Sequence, residues 1–175
     1  MLSIVGENTR LILLGSFVVT AGLTHLMAHT AVAATMFPIL MVIMSLYGKE
    51  EEPCRFGKAL FIGMAYTAGA GSMCTMLGAA RTPAAAGFFK EFTGQDLTFL
   101  QVSKAMMPYG WLMVFIIWVL LAYVFFRPEQ DRIPGLREHV AEMYAQLGPI
   151  SRQEIFVIVV AIGVVATLAV KNFIP

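Results

Sequence analysis

The sequence predicts an all-α, polytopic membrane protein containing a re-entrant helical hairpin and a broken transmembrane helix. Three observations carry that prediction. Of the 175 residues, 58% are hydrophobic and 13% charged, and the mean hydropathy is +0.76, a balance that belongs to chains solvated by lipid. Residues 11–47 form a nearly uninterrupted apolar run without a formal charge, with the polar trio Ala28-His29-Thr30 as its natural break. A second apolar region is interrupted by GSMCTMLGAARTP, Gly71 to Pro83, whose residues stop helices and carry polar atoms.

The opening residues MLSIVGENTR lack a basic n-region and a small-residue cleavage pattern, so no signal peptide is expected. As one helix, residues 11–47 would extend about 55 Å, against a hydrocarbon core of about 30 Å. The run therefore folds back at the trio, in halves about 25 Å long. That length favours a re-entrant hairpin over 11–47, with two complete spans and a tight turn as the alternative. Gly48 to Lys58, rich in charge and bounded by glycines, reads as a solvated loop. Residues 59–89 read as a broken helix, because non-helical backbone at membrane depth is tolerated only where protein or a polar cavity surrounds it.

Lys90 to Lys104 is expected as a polar connection, followed by a transmembrane helix over 107–126. Tyr109, Trp111, Tyr123 and Phe126 lie toward its ends, where an aromatic belt would place them. Residues 128–152 read as a cytoplasmic amphipathic segment, with Leu136, Val140, Met143 and Leu147 at helical spacing. A last transmembrane helix is expected over 154–171, and the whole chain, 1–175, as a single membrane domain. If hairpin bases, first loop and amphipathic segment share a side, that side holds Arg10, Lys49, Arg55, Lys58, Arg127, Arg132, Arg137 and Arg152. Only Lys90, Lys104 and Lys171 lie opposite, which assigns the first group to the cytoplasm.

The net charge of +1 gives no reason to expect nucleic acid. Cys54 and Cys74 lie in unlike settings, so no disulfide is expected. Unwound segments expose helix ends, whose N–H groups attract anions and whose carbonyls suit cations. Gly71 and Gly78 can take positive φ and admit a ligand to the backbone, and Ser72, Thr75 and Thr30 can offer hydroxyl oxygens to an alkali cation. Helix packing is the competing reading of the glycines. Arg81, a cation at membrane depth, should face a cavity, a carboxylate or an anion, or snorkel to an interface. His25 and His29 share a helix face and offer a weaker metal or haem reading; a hydrogen-bonding or titrating role is the stronger one, and helix packing the simplest for His25.

At both interruptions the chain resembles the divalent anion/sodium symporter family, the sulphate and dicarboxylate permeases of the ion-transporter superfamily. The family's hairpin tip carries Ser-Asn-Thr followed by small residues and a Met-x-Pro-Ile-like stretch, and this chain reads AHTAVAATMFPIL. The family's broken helix carries a pattern like GGTxTxIGTPPN, and this chain reads GSMCTMLGAART; LGPISRQE before the last span fits as well. The resemblance implies that His29, Thr30, Ala79, Ala80 and Arg81 contact substrate, and that Ala28, Gly71, Ser72, Thr75 and Gly78 contact a cation. Ala28 and His29 replace the family's serine and asparagine, and Ala79-Ala80-Arg81-Thr82 replaces Thr-Pro-Pro-Asn.

Family members are more than twice as long and contain two inverted repeats, so this chain resembles one repeat without its first helices, as a fragment or truncated frame would. The implied function is secondary active transport, not enzyme catalysis. A small dicarboxylate, sulphate or similar anion would move across the inner membrane, coupled to sodium or protons, in a lipid-embedded homodimer without a cofactor or bound metal. The alternative is a non-transporting subunit or remnant.

Overall fold

A computed structural model describes residues 8–47, 54–133 and 152–170, and these are all-helical. Six α-helices follow in order among the described residues: α1 Thr9–Leu23, α2 His29–Tyr47, α3 Arg55–Ser72, α4 Arg81–Thr93, α5 Phe99–Val119 and α6 Arg152–Val170. A π-helical extension, Leu120–Phe125, continues α5. Two stretches, His29–Tyr47 and Phe99–Phe125, are long and apolar enough to cross a membrane. The amphipathic segment expected over 128–152 lies mostly outside the described residues.

α1 and α2 form an antiparallel hairpin against α3. Its core is Ile12, Leu13 and Phe17 from α1, Val32, Leu40 and Ile43 from α2, and Phe56 and Leu60 from α3, all essentially inaccessible. Phe17 lies so close to Gly63 of α3 that a Cβ there would overlap its ring. Close backbone approach, rather than chain flexibility, accounts for that glycine. Val114, Leu121 and Ala122 bring the second half of α5 and its extension onto the same core. α4, by contrast, buries none of its residues, and α6 exposes its apolar surface from Ile155 to Val160.

The element boundaries differ from the sequence expectation at several places. α3 already begins at Arg55, inside the loop expected over Gly48–Lys58, whose residues 48–53 lie outside the described residues. The hairpin turns at residues 24–28, so of the trio only Ala28 lies in the turn, and His29 and Thr30 already belong to α2. α1 closes early because the amides of His25 and Leu26 bond back to Gly22 and Leu23 in a tightened last turn. The polar connection expected over 90–104 shrinks to 94–98: α4 runs to Thr93 and stops at Gly94, which takes φ 70°. α5 then starts at Phe99, before the expected residue 107, because Thr98 and Gln101 form a reciprocal capping box.

A polar clasp closes the base of the bundle. Glu129, beyond the α5 extension, accepts hydrogen bonds from the Arg55 amide at 2.8 Å and the Tyr47 hydroxyl at 3.1 Å. The Gln130 amide donates to the Tyr47 hydroxyl. Thr9 donates through its amide to the Asp131 carbonyl at 3.0 Å and through its hydroxyl to the Gln130 carbonyl at 2.7 Å. Trp118 of α5 donates its indole N–H to the Arg10 carbonyl at 2.9 Å. Both hairpin bases and the start of α3 are thus fixed to one short segment, and Arg10 pairs there with Asp131. Lys90 and Asp96 pair elsewhere, beside the α4–α5 turn.

Partial burial pushes the Glu129 carboxyl up, but the amides of Arg55, Glu129 and Phe56 and the Tyr47 hydroxyl outweigh it. The carboxyl is held below its ordinary value. A carboxyl depressed in the folded state contributes stability that is complete above its unfolded pKa of about 4.3 and is lost as pH falls through the folded value. In detergent, the wild-type melting temperature should therefore fall more steeply below about pH 4.3 than that of Glu129→Gln. Glu129→Ala should cost about 1 kcal/mol at neutral pH, read by the same melt.

Candidate functional site

An apolar hairpin that turns without a side-chain cap needs donors and acceptors from elsewhere, and the α3–α4 break supplies them. The hairpin tip, residues 24–28, seats on residues 71–78. The Thr75 hydroxyl donates to the His25 carbonyl at 2.9 Å and accepts from the Gly78 amide at 3.3 Å. The His29 amide, the first of α2, donates to the Gly78 carbonyl at 3.3 Å. Imidazole Nδ1 of His25 lies 3.2 Å from the Gly71 carbonyl, and that of His29 lies 3.5 Å from the Gly78 carbonyl. A backbone carbonyl only accepts, so each ring presents Nδ1–H.

Gly71 and Gly78 are required by space. A Cβ on Gly71 would overlap the Thr24 hydroxyl and the backbone of Ala21, and one on Gly78 would overlap the Thr24 carbonyl and the backbone of Ser72. Neither takes positive φ; Gly94 alone does among the described residues. The expectation of left-handed backbone at these two glycines is corrected to one of contact between two backbones. Gly69, two residues before Gly71, faces open space.

Two helices end at the junction, α1 at Leu23 and α3 at Ser72, and two begin, α2 at His29 and α4 at Arg81. The ends carry partial negative charge and the beginnings partial positive charge. Residues expected to contact substrate sit at the beginnings. His29 and Thr30 open α2; Ala80 is the cap of α4, with no side-chain hydrogen bond, and Ala79 precedes it, buried. Arg81 opens α4 and donates to the Ser72 hydroxyl at 2.8 Å and the Gly69 carbonyl at 3.3 Å, with no carboxylate paired to it among the described residues. Thr30 and Ala28 are exposed, and no hydrogen bond joins the Thr30 side chain to the break among the described residues.

Of the residues expected to contact a cation, Gly71 and Ser72 close α3, Thr75 and Gly78 lie in the break, and Ala28 sits instead just before the beginning of α2. The oxygens of Gly71, Ser72, Thr75 and Gly78 are engaged. The Ser72 hydroxyl donates to the Gly69 carbonyl and accepts from Arg81. The Gly71 carbonyl accepts from the Cys74 amide and faces His25. A cation entering here would share or displace these donors. The His25 and His29 rings turn to different carbonyls, so the paired-ligand reading of a metal or haem gives way to two separate backbone contacts.

Sequence reasoning missed two participants. Thr24 packs its carbonyl against Gly78 and donates its hydroxyl to Ala21. Trp111, expected in an aromatic belt, lies edge-on to His25 with centroids 5.7 Å apart. Its position near the middle of the stretch Phe99–Phe125 was the available signal. An apolar groove of about 540 Å³ between α4 and α5 begins at Thr82 and includes Phe89 and Met106. Its lining gives an anion no charged partner, so it lies outside the candidate site.

A family model for the sodium:sulfate symporter transmembrane region matches residues 1–174. Among curated relatives, the sodium-dependent dicarboxylate transporter SdcS of Staphylococcus saprophyticus is 23% identical over 167 residues, 91% of this chain and 32% of its own length. A membrane protein of Cupriavidus necator is 27% identical over 172 residues, 98% of this chain and 33% of its own. SdcS of Staphylococcus aureus is 26% identical over 161 residues, 88% and 31% respectively. The chain spans about a third of the length of the curated relatives it matches.

The glycine packing makes a sharp contrast. Gly78→Ala should force tip and break apart and cost about 1–3 kcal/mol, whereas Gly69→Ala should leave stability unchanged or slightly raised. Thermal melts of the two variants in one detergent check this.

Proposed function

The chain belongs to the sodium:sulfate symporter family, and from that premise we propose that it forms half of the translocation site of a secondary anion transporter. The substrate is a small dicarboxylate, sulphate or related anion, and the coupling ion is sodium or a proton. The carrying observation is the seating of an uncapped hairpin tip on an interrupted helix, which gathers two helix beginnings and two helix ends at one place. Anions suit the first pair and cations the second. Relatives named as sodium-dependent dicarboxylate transporters support the same substrate class.

The hairpin reads as re-entrant. Its arms have 15 and 19 residues, about 22 and 28 Å, and start from one base. Their tip touches Trp111, one residue from the middle of a 27-residue helical stretch, Phe99–Phe125, about 40 Å long. A tip at that level stops inside the bilayer. Arg10, Arg55 and Arg127 gather at the base, which faces the cytoplasm of an inner-membrane protein by the positive-inside rule. The open faces of α4 and α6 fit lipid, a second copy of the protein, or the other half of the site.

In this arrangement the α2 and α4 beginnings and Arg81 would hold the anion. The Arg81 guanidinium, now held by Ser72 and Gly69, would swing its free N–H groups to a carboxylate or sulphate. Charged hydrogen bonds of this kind contribute about 1.5–3 kcal/mol. Succinate and sulphate counterflow in proteoliposomes, made from the full natural reading frame carrying this sequence, tests the reading. Exchange of either anion is expected, with KM raised roughly 10- to 100-fold in Arg81→Ala. Absence of exchange for small anions would overturn it.

A further inference from the structure

We infer that His25 is the proton-binding residue of this half-site, and that its protonated ring takes the place of a sodium ion at the carbonyl end of α3. The inference rests on the transporter reading and names the coupling group within it. His25 reaches the Gly71 carbonyl through Nδ1 at 3.2 Å. Gly71 lies in the last turn of α3, where carbonyl oxygens lack helical partners and favour a cation. The carbonyl fixes the proton on Nδ1, so in the neutral ring Nε2 carries a lone pair. That atom is buried without a hydrogen-bond partner, an arrangement a stable core avoids.

A proton arriving at Nε2 forms no new covalent bond to the chain beyond N–H and turns the ring into a cation. The charge then lies between the Gly71 carbonyl and the face of the tip, joining α1 to α3 as a coordinated sodium would. Release of the same proton to the other side completes the cycle. The charged and titratable groups around it are few. His29 of α2 faces the Gly78 carbonyl, Cys74 lies buried in the break, and Arg81 of α4 is held on Ser72. α5 contributes Trp111, which does not titrate, and among the described residues no carboxylate pairs with the ring. Binding at Nε2 is therefore free of a fixed counter-ion, and a co-bound anion can supply one.

Trp111, edge-on to the ring, reports protonation by itself, because an imidazolium quenches a neighbouring indole. Trp118 is the other tryptophan, so Trp118→Phe leaves one reporter. Fluorescence of the purified full natural protein in sodium-free choline buffer should fall through one transition as the pH is lowered through and below the ordinary histidine range. The transition should vanish in His25→Gln, which keeps a donor for Gly71, and persist in His29→Gln. Sodium chloride replacing choline chloride at equal strength should move the midpoint to lower pH, as two cations competing for one carbonyl end require. A transition that survives His25→Gln, or none in the parent, overturns the inference. A midpoint indifferent to sodium overturns the substitution of proton for sodium.

Succinate counterflow needs no ion gradient and separates the two readings: its absence in the parent sinks the transporter reading and this one with it. With counterflow intact, proton-driven uptake without sodium should drop at least tenfold in His25→Gln. Unchanged uptake in that variant would overturn the coupling role.

Discussion

Everything in this bundle depends on how two interruptions in an apolar chain satisfy their backbone. A peptide group left unpaired in hydrocarbon costs several kcal/mol, and neither the turn after α1 nor the break after α3 has enough partners within itself. Each uses the other. The Gly78 carbonyl accepts the first amide of α2, and Thr75 bridges the His25 carbonyl and the Gly78 amide. The need for close backbone approach then dictates glycine at 71 and 78, and the base clasp around Glu129 and Thr9 keeps the hairpin at the depth where the two segments meet.

The same constraint makes the junction chemically useful. Structure that satisfies a break also lines up helix ends, so on the proposed transport reading a site for ions would arise from the repair of the backbone rather than from a cluster of charged side chains. Arg81 is the one formal charge at the junction among the described residues, and it begins a helix whose cap residue, Ala80, contributes no side-chain bond. Where the family resemblance implies serine and asparagine, this chain carries Ala28 and His29. Their replacement moves polar chemistry from side-chain oxygens to imidazole nitrogens, and His25 stands on the neighbouring carbonyl in the same way. The unburied face of α4 fits the proposed half-site.

Much of this was legible in the sequence, because hydropathy and helix breakers report directly on what lipid excludes. The uncharged run 11–47 announced a fold-back, and Gly71 to Pro83 announced a break. The position of the turn was not legible: Thr24 and His25 look like any helical stretch, and the turn after α1 is held by contacts of His25 and His29 to the Gly71 and Gly78 carbonyls, which lie 46 and 49 residues away in sequence. The start of α5 was legible but overlooked, since Thr98 and Gln101 spell a capping box; Lys104 and Pro108 concealed the helix that follows. The role of Trp111 could not be read from composition, because aromatic residues serve belts and packing alike. Glu129 was invisible as a clasp, since its partners Tyr47 and Arg55 lie 82 and 74 residues away.

The central claim is that tip and break are one cooperative unit. Amide hydrogen exchange of the protein in lipid nanodiscs, followed on peptides covering residues 22–31 and 69–82, tests it most directly. Both segments should exchange slowly despite their non-helical backbone, far more slowly than the exposed connection at 94–98, and Thr75→Val should release both together. A break that exchanges as fast as the connection, or a variant that loosens one segment and leaves the other protected, would contradict the account.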